Sequence, residues 1–432
     1  MMEKQTKIGT ICDDFDTFQL KSVLVKNDAG DWGSEPDDNA IGVIRSTNFN
    51  NDGKLDLSDI AYRTLSKRKF EEKKLYASDI LIERSGGSET QPVGRVGFIT
   101  DEMAGNNYAF ANFIQRISLN DKINPKYVYF CLQQMYEMGV TAGMQSQTTG
   151  IRNLDWKQYI KVSLPKPSLA EQTAIAAILS KVDEAIASVQ ASISAAERLK
   201  KSLMQNLLTG RMKPDGTLRN EDEFYVDEKF GKVPVGWEVK KLKDISSIQR
   251  GKFSHRPRND ERYYNGNYPF VQTSDVVESV FYLRNASQSL NDLGASVSRS
   301  FPCNTIIITI AANIGYVALT TYEVFFPDSL IGINANEEII LPPYLLLQLM
   351  GYKTILDAQA TESAQKNINY SNLMPLQILY PSDIKEQKIL IDRIMDIFKG
   401  IEKKQNKIAV LERLKKSLMQ NLLTGRVRVK VN

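Results

Sequence analysis

The sequence predicts an α+β protein in which two similar mixed α/β domains are separated by two long helices that form an antiparallel coiled coil with pseudo-two-fold symmetry. The first observation behind this prediction is a repeat. The run Glu-Arg-Leu-Lys-Lys-Ser-Leu-Met-Gln-Asn-Leu-Leu-Thr-Gly-Arg fills positions 197–211 and, letter for letter, 412–426. The second is that each copy ends a long stretch with apolar residues at helical spacing. The third is that the regions before these stretches share one order of predicted elements, so the chain is an internal duplication.

Each long helix carries a start signal and a stop signal. Ser168 and Glu171 form a capping-box pattern, in which each side chain bonds the other residue's free backbone N–H. Asp383 and Glu386 repeat this pattern in the second copy. A glycine suited to a left-handed C-terminal cap follows each helix, at Gly210 and Gly425.

Between these signals the apolar residues recur in alternating steps of four and three, the 3.5-residue period of a coiled coil. The predicted contact line, or seam, consists of Ile175, Leu179, Val182, Ile186, Ile193 and Leu203 in the first helix, and of Leu390, Ile394, Ile397, Ile401, Ile408 and Leu418 in the second. The pattern also includes Leu199 and Leu414, and Lys404 is its one break. The alternative is an amphipathic helix on a globular core, which usually has a wider apolar stripe.

These elements divide the chain into four parts. The predicted parts are a first variable domain at 1–167, a central helix and linker at 168–216, a second variable domain at 217–381 and a C-terminal helix at 382–432. A polar segment with Pro214 and Gly216 predicts a linker over 212–230.

The two variable domains share a predicted order of elements but differ in their loops. The strand ending at Arg45 corresponds to 268–272, and the strand from Ile80 corresponds to 305–308. Helices are predicted to start at Pro125 and at Pro343. The scaffold is retained while the loops change, as expected of two copies of one binding module with different targets.

Composition restricts the class of protein. Residues 1–167 carry 21 basic and 22 acidic side chains, and residues 217–381 carry 15 and 18, so neither domain is basic as a whole. A nucleic-acid surface would therefore be a local patch. The three cysteines are scattered, which excludes a multi-cysteine zinc site and gives no support for a disulfide scaffold. No signal peptide or membrane span is evident, and we expect a cytoplasmic protein.

The sequence offers no catalytic constellation. Its single histidine, His255, rules out His-based triads and two-His metal sites. His255 is interpreted as a solvated loop residue, with a phosphate contact as the alternative. The segment Leu341-Pro342-Pro343-Tyr344 is similar to the Asn/Asp-Pro-Pro-Tyr motif of adenine methyltransferases, but Leu341 lacks the polar group that holds the target amine. We interpret it as a helix start. No P-loop or glycine-rich cofactor loop is present.

The whole chain resembles the specificity subunit of type I restriction–modification systems, the HsdS family. The resemblance rests on these segments: Glu171-Gln172, Glu386-Gln387, the two Leu-Leu-Thr-Gly-Arg endings, Val235-Gly236-Trp237 and Phe326-Pro327-Asp328-Ser329. The first domain lacks the Gly-Trp opening of the second.

The resemblance implies a non-catalytic subunit whose two target-recognition domains each bind one half of a split double-stranded DNA site. It implies that the coiled coil sets the gap between the halves and docks two methyltransferase subunits, which two restriction/translocase subunits join. It places S-adenosylmethionine, ATP and Mg²⁺ in those partners, with no cofactor or metal in this chain, and implies no membrane.

Loops at corresponding places in the two domains are the expected DNA contacts. The predicted residues are Arg45, Ser46, Thr47, Asn48, Lys67, Arg68, Lys69, Arg84 and Ser85 in the first domain, and Arg256, Arg258, Gln272, Thr273, Ser274 and Lys366 in the second. Arginine suits guanine and Asn or Gln suits adenine in the major groove, whereas the 67–69 cluster suits phosphate. For any one side chain, a solvated surface residue remains the alternative.

Two other functions fit parts of the sequence. A two-headed protein adaptor held by a coiled coil would use divergent loops equally well, but its assembly would lack the salt dependence of DNA binding. A stand-alone methyltransferase is inconsistent with Leu341 and with the missing cofactor loop.

Overall fold

The computed structural model describes residues 4–88, 91–148, 151–255, 258–361 and 367–431. The chain forms two compact units. The first contains residues 1–191 and 406–432, and the second contains residues 192–405. Each unit thus combines one variable domain with part of each long helix. None of the helices in the described ranges is long and apolar enough to cross a bilayer.

The first variable domain and the helix after it contain the following elements. The strands are β1 (Lys4–Thr6), β2 (Gly9–Ile11), β3 (Asp16–Gln19), β4 (Leu24–Ala29), β5 (Ile41–Ile44), β6 (Ala61–Arg63), β7 (Ile80–Glu83), β8 (Val96–Phe98), β9 (Ala109–Phe110), β10 (Ile114–Leu119), β11 (Gln145–Thr148), β12 (Ile151–Leu154) and β13 (Ser163–Lys166). The helices are α1 (Lys67–Lys73), α2 (Asp101–Gly105), α3 (Pro125–Glu137), α4 (Trp156–Tyr159) and α5 (Leu169–Leu208).

The second variable domain and its helix contain a similar set. The strands are β14 (Phe224–Asp227), β15 (Gly231–Pro234), β16 (Trp237–Lys241), β17 (Ser246–Arg250), β18 (Tyr264–Phe270), β19 (Gln288–Leu290), β20 (Ser300–Phe301), β21 (Ile306–Thr309), β22 (Val317–Leu319), β23 (Val324–Phe325), β24 (Leu330–Ala335) and β25 (Gln377–Pro381). The helices are α6 (Leu242–Ile245), α7 (Thr273–Glu278), α8 (Asp292–Ser296), α9 (Pro342–Gly351), α10 (Lys353–Thr361), α11 (Tyr370–Leu373) and α12 (Ile384–Leu422).

The duplication is visible in the sheets. A four-stranded antiparallel sheet has the order β4-β10-β7-β8 in the first domain and β17-β24-β21-β22 in the second. A second sheet contains a parallel pair, β5 with β9 and β18 with β23. The ends of each domain are joined by an antiparallel pair, β3 with β13 and β16 with β25. The predicted common scaffold is therefore confirmed.

The strand β7 shows why Ile80, Leu81 and Ile82 form a continuous apolar run. Ile80 and Ile82 pack in the core that contains α3, whereas Leu81, on the opposite face, packs in a second core with β5 and β9. In β21, Ile306 and Ile308 face one core and Ile307 faces another. A strand covered on both faces has no polar side, so a continuous apolar run replaces the usual alternation.

Within each unit, α5 and α12 run antiparallel and pack together. In the first unit, Lys415 on α12 forms an ion pair of 2.8 Å with Asp183 on α5. In the second unit, the Lys200 ammonium on α5 lies 4.8 Å from the centre of the Phe398 ring on α12. Each unit therefore joins the early part of one helix to the late part of the other, which confirms the predicted antiparallel coiled coil.

The predicted seam is buried in most places. Seven of its members are buried: Ile175, Leu179, Ile186, Ile193, Leu390, Ile394 and Ile401. Half-buried members are Val182, Leu203, Ile397, Ile408 and Leu418. The prediction was wrong for Leu199 and Leu414, which are 53% and 45% exposed. Towards the end of α12 the buried positions are Lys415, Met419 and Leu422, so the buried side has moved from Leu414 to the neighbouring Lys415. A straight helix drifts away from a 3.5-residue pattern in this way.

The helix ends follow the glycine prediction. Gly210 and Gly425 have φ of +66° and +72°, the left-handed conformation. A Cβ at Gly210 would lie 2.3 Å from Pro234 Cγ, and one at Gly425 would lie 2.8 Å from Phe15 Cε2. Both conformation and space require glycine at these two caps.

The two capping boxes are only partly formed. Ser168 Oγ accepts a hydrogen bond from Glu171 N at 3.2 Å, and Asp383 Oδ1 accepts one from Lys385 N at 2.8 Å. The Glu171 carboxylate instead accepts two bonds of 2.9 Å from Arg428. The Glu386 carboxylate accepts one of 2.9 Å from Arg219. An arginine carries a full charge, so it outcompetes a backbone amide for these carboxylates.

These contacts define two helix-start clusters, one in each unit. The first consists of Glu171, Arg428 and Phe15, with the Arg428 guanidinium 4.9 Å from the ring centre. The second consists of Glu386, Arg219 and Trp237, where the distance is 5.3 Å and Trp237 Nε1 donates to Glu386 at 3.2 Å. Phe15 thus occupies in the first domain the place of Trp237, which explains the missing Gly-Trp opening.

The contacts of Arg219 and its neighbours show that the predicted linker is partly folded. Residues 212–230 include the strand β14, which pairs with β15, and a bridge between Met212 and Leu218. Arg219 Nη1 donates to Gly210 O at 2.7 Å. This part of the chain is therefore folded against the end of α5, and the linker prediction was wrong for it.

Candidate nucleic-acid interface

Three loops of the first domain meet at one surface. They follow β5 (45–48), follow β7 (84–86) and include residues 152–153 of β12; together we call them the first loop cluster. Ser46 Oγ donates to Ser85 O at 3.4 Å, and Ser85 Oγ donates to Asn153 Oδ1 at 2.6 Å. The chain therefore brings together side chains from three distant segments.

The second domain has the same arrangement with different residues. Its second loop cluster contains 272–275 after β18, 310–312 after β21, and Asn367. Ile368 N donates to Ile310 O at 3.1 Å, as Leu154 N donates to Arg84 O at 2.8 Å in the first domain. A bridge between Ala311 and Asn367 matches that between Ser85 and Asn153. The predicted correspondence of these loops is confirmed.

The residues of the first domain that were predicted to contact DNA differ in exposure and in their present partners. Arg45 is half-buried and its Nη2 lies 2.8 Å from Asp59, whose carboxylate is well exposed. Thr47 is exposed and Ser46 half-buried. Arg84 is half-buried, and its Nη1 donates to Gln115 Oε1 at 3.1 Å.

The prediction that Asn48 contacts DNA was wrong. Its side chain is 2% exposed, Oδ1 accepts from Arg45 N at 2.9 Å, and Nδ2 donates to the carbonyls of Asp56 and Asp59 at 2.8 and 3.2 Å. The amide makes these three hydrogen bonds inside the loop, and almost none of its surface is exposed. Asn48 shapes the loop and cannot contact a base.

A buried ion pair that the sequence analysis missed supports the same loop. Arg95 Nε and Nη2 donate to the two Glu83 oxygens at 2.8 and 2.7 Å, and both residues are almost fully buried. Arg95 also donates to the carbonyls of Ser46, at 3.0 Å, and Phe49. A charged residue between the apolar Val93 and Val96 was the available signal, because an arginine at such a position needs buried acceptors.

The basic cluster at 67–69 lies on α1. All three side chains are exposed; Arg68 pairs with Glu72 at 3.0 Å and Lys69 with Asp31 at 2.6 Å. The Lys69 hydrogen bond lowers the pKa of Asp31 below its ordinary value. These exposed pairs are weak and can exchange for phosphate contacts.

In the second domain, Gln272 and Thr273 are half-buried and Ser274 is exposed. Gln272 Nε2 donates to Gln288 Oε1 at 2.8 Å. Arg258 pairs with Asp328. The remaining predicted contacts, Arg256 and Lys366, lie outside the described residues.

His255 is held within its own loop. Its Nε2 lies 2.9 Å from Asp260 Oδ2, and its ring stacks on Tyr263 with centres 4.0 Å apart. Asp260 also accepts from Arg262, whose hydrogen bonds hold the pKa of that carboxyl well below its usual range. His255 is 20% exposed, so the interpretation as a solvated loop residue was wrong.

A cavity of about 350 Å³ lies beside Gln272. Its apolar lining includes Phe253, Tyr264 and Phe270, and its polar lining includes Gln272 and Gln288. Gln288 was not among the residues predicted to contact DNA.

Two observations on the described residues concern covalent and metal chemistry. Burial raises the pKa of the Cys131 thiol to about 12, so this cysteine stays protonated and unreactive. In the described ranges, no group of three His, Cys, Asp or Glu residues could hold a metal ion.

Comparisons with known proteins agree with this geometry. A family model described as the type I restriction modification DNA specificity domain matches residues 12–198 and 234–413. The chain is 24% identical to the type I restriction enzyme MjaIX specificity subunit of Methanocaldococcus jannaschii, over 99% of this chain and 96% of that protein. It is also 24% identical to the EcoBI specificity subunit of Escherichia coli, over 71% and 66%.

Two solved structures share the fold. One is the crystal structure of the S subunit of a type I restriction–modification system from M. genitalium, with a TM-score of 0.56 and 13% identity over 99% of this chain and 100% of that chain. The other comes from a study of complex assembly in a type I system, with a TM-score of 0.54 and 13% identity over 96% and 99%.

Proposed function

Because this chain belongs to the type I restriction–modification DNA specificity family, we propose that each of its loop clusters binds one half of a split DNA site. The family is the non-catalytic DNA-recognition component of type I systems, and the chain carries two copies of its domain. The observation that carries the proposal is the pair of loop clusters, built at equivalent places on one scaffold from different side chains. Two loop clusters that share a backbone arrangement but carry different side chains can bind two half-sites of different sequence.

In this proposal, Arg45, Ser46, Thr47, Arg84 and Ser85 contact the first half-site. Gln272, Thr273, Ser274, Arg258, Arg256 and Lys366 contact the second. Lys67, Arg68 and Lys69 contact phosphates. Asn48 is left out because its amide is buried.

The partners are double-stranded DNA, two methyltransferase subunits and two restriction/translocase subunits. The repeat supports two copies of one partner, because it places the same exposed leucine, Leu199 or Leu414, on the same stretch of helix in each unit. Identical surfaces bind identical partners. S-adenosylmethionine, ATP and Mg²⁺ belong in this proposal to the partner subunits, and the complex works in the cytoplasm.

The test has two steps. Methylated adenines are mapped across the host genome with and without this gene, and a split motif that depends on the gene gives the site. Binding of the assembled methyltransferase complex to that site and to random DNA is then measured over a range of salt concentrations. Affinity should fall steeply with salt on both DNAs, through counterion release, and the site should be preferred. A complex that assembles without salt-dependent DNA binding would identify an adaptor.

Arg45→Ala should weaken binding to the site by about 1–3 kcal/mol and leave binding to random DNA almost unchanged, because a base contact is lost. Lys67→Ala should weaken both equally, as expected for a phosphate contact. Equal losses for Arg45→Ala would reduce Arg45 to a backbone contact.

A further inference from the structure

The residue that follows the strand β5 or β18 has the same backbone setting in both domains. Arg45 N donates to Asn48 Oδ1 at 2.9 Å, and Gln272 N donates to Asp275 Oδ2 at 2.8 Å. In both loops, therefore, a side chain three residues later holds the backbone of the first residue. Arg45 and Gln272 are structural equivalents.

Each of these residues also has a polar partner in or next to the neighbouring antiparallel strand. Arg45 Nη2 lies 2.8 Å from Asp59, just before β6, and Gln272 Nε2 donates at 2.8 Å to Gln288, the first residue of β19. β6 pairs with β5, and β19 pairs with β18. The two domains thus present an Arg–Asp pair and a Gln–Gln pair at one structural position.

The Gln–Gln pair is held rigidly. Asp275 Oδ2 accepts from Gln272 N and also from Ser287 N and Oγ, at 3.1 and 3.0 Å, so one carboxylate fixes the chain at both glutamines. Phe270, two residues before Gln272, is 1% exposed, and its ring lies 5.3 Å from that of Phe253. Because Phe270 pairs with Gln288 in the β18–β19 register, this buried aromatic contact lies next to the glutamine pair.

We infer that these pairs are two-residue units for base recognition, in which Arg45 and Gln272 contact the base, and Asp59 and Gln288 orient them. The inference rests on the proposed function. Gln288 occupies one N–H of the Gln272 amide, which leaves Oε1 as an acceptor and the other N–H as a donor. Adenine offers N6–H₂ and N7 in the complementary pattern, whereas guanine offers two acceptors. Gln272 therefore selects adenine.

The same logic assigns guanine to Arg45. Its guanidinium carries five N–H donors, of which Asp59 accepts one and the Nε donor is buried. The donors that remain on the two terminal nitrogens match guanine O6 and N7. Asp59 and Gln288 are positioning residues, because they act through the side chain that they orient.

The experiment uses the full chain in its methyltransferase complex and DNA carrying the mapped site. Each adenine of the second half-site is replaced in turn by purine, which lacks the N6 amine, or by 7-deazaadenine, which lacks N7. At one adenine, each analogue should weaken binding by about 5- to 150-fold. At that position the same analogues should have no further effect on Gln272→Ala.

Gln288 is tested by two variants. Gln288→Ala should lose most of the preference for adenine at that position, whereas Gln288→Glu should keep it, because a carboxylate still accepts from Gln272 Nε2. Gln405→Ala, on the exposed face of α12, is the matched control and should behave as the native chain. A merely structural role for Gln288 would lower binding to every DNA alike in both variants, and that result would overturn its assignment.

The outcomes separate the two proposals. If no adenine of the second half-site responds to the analogues while the native complex still prefers its site, the Gln–Gln unit is wrong and the proposed function stands. If the native complex binds the site and random DNA equally, the proposed function itself fails. The analogue measurements use the native chain, so they decide the question even if a variant does not fold.

Discussion

Gln387, near the start of α12, gives a sharp prediction about stability. Its side chain is fully buried, and its Oε1 accepts from Leu341 N, at the start of α9, at 2.9 Å. Its Nε2 donates to the carbonyls of Ile339 and Pro381 at 3.0 and 2.9 Å. One amide therefore joins a loop, a helix start and the last strand of the second domain.

Gln387→Met keeps the size of the side chain and removes all three bonds. A buried polar group left without a partner costs about 1–3 kcal/mol, and the methionine recovers part of the loss through apolar burial. We expect a loss of about 3 kcal/mol in the second unit, which corresponds to amide exchange about 150-fold faster.

Hydrogen–deuterium exchange of the full chain, resolved by peptide, measures this loss. Peptides from α9 and β25 should exchange faster in Gln387→Met, and Gln405→Met should match the native chain. Gln172→Met, the equivalent change in the first unit, removes two bonds, to Asn124 N at 2.9 Å and Pro167 O at 2.8 Å, and should cost less. Unchanged exchange in α9 would refute the assigned role of Gln387.

Three further predictions concern charged side chains. Arg428→Met leaves the almost fully buried Glu171 carboxylate without its bidentate partner. The free energy of unfolding of the first unit, measured in urea, should therefore fall by about 3 kcal/mol. Arg428→Lys should lower it by less, because lysine keeps the charge. Arg95→Met removes the hydrogen bonds that hold the backbone of residues 46–49, so recognition of the first half-site should weaken more than recognition of the second. The measurement compares how much affinity the variant complex loses when the DNA is mutated in one half-site or in the other. Burial lowers the pKa of Lys126 to about 8 from an ordinary value of 10.5, so the unfolded chain binds more protons between these values. Stability should therefore rise as pH increases from about 8 to 10.5, and Lys126→Met, compared by thermal unfolding at pH 7 and 10, should lack that rise.

The sequence predicted the features that repeat or that obey local rules. The duplicated run predicted the two long helices. The glycines at 210 and 425 predicted where these helices end, because a left-handed cap is a local requirement. The order of strands followed from aligning the two halves. The positions of the loop clusters followed from the same alignment.

Pairings between distant residues could not be predicted. Arg428 and Glu171 are 257 positions apart, and Glu171 satisfies a capping-box pattern equally well from its neighbours alone. Asn48 is a polar residue in a loop, and nothing in the letters distinguishes an amide that bonds its own loop from one that faces solvent. Leu199 and Leu414 match the heptad pattern, but the rotation of a straight helix turns them away from the contact line.

The division of the chain has a consequence for its biosynthesis. The second unit is continuous, whereas the first unit needs residues 406–432, which follow the second unit in the chain. A ribosome therefore releases every segment of the second unit before it supplies Arg428, Met419 and Thr424, whose carbonyl accepts from Cys12 N at 2.9 Å. The domain made first is completed last. A nascent chain stalled before residue 406 would accordingly display a finished second domain and an unfinished, chaperone-accessible first one.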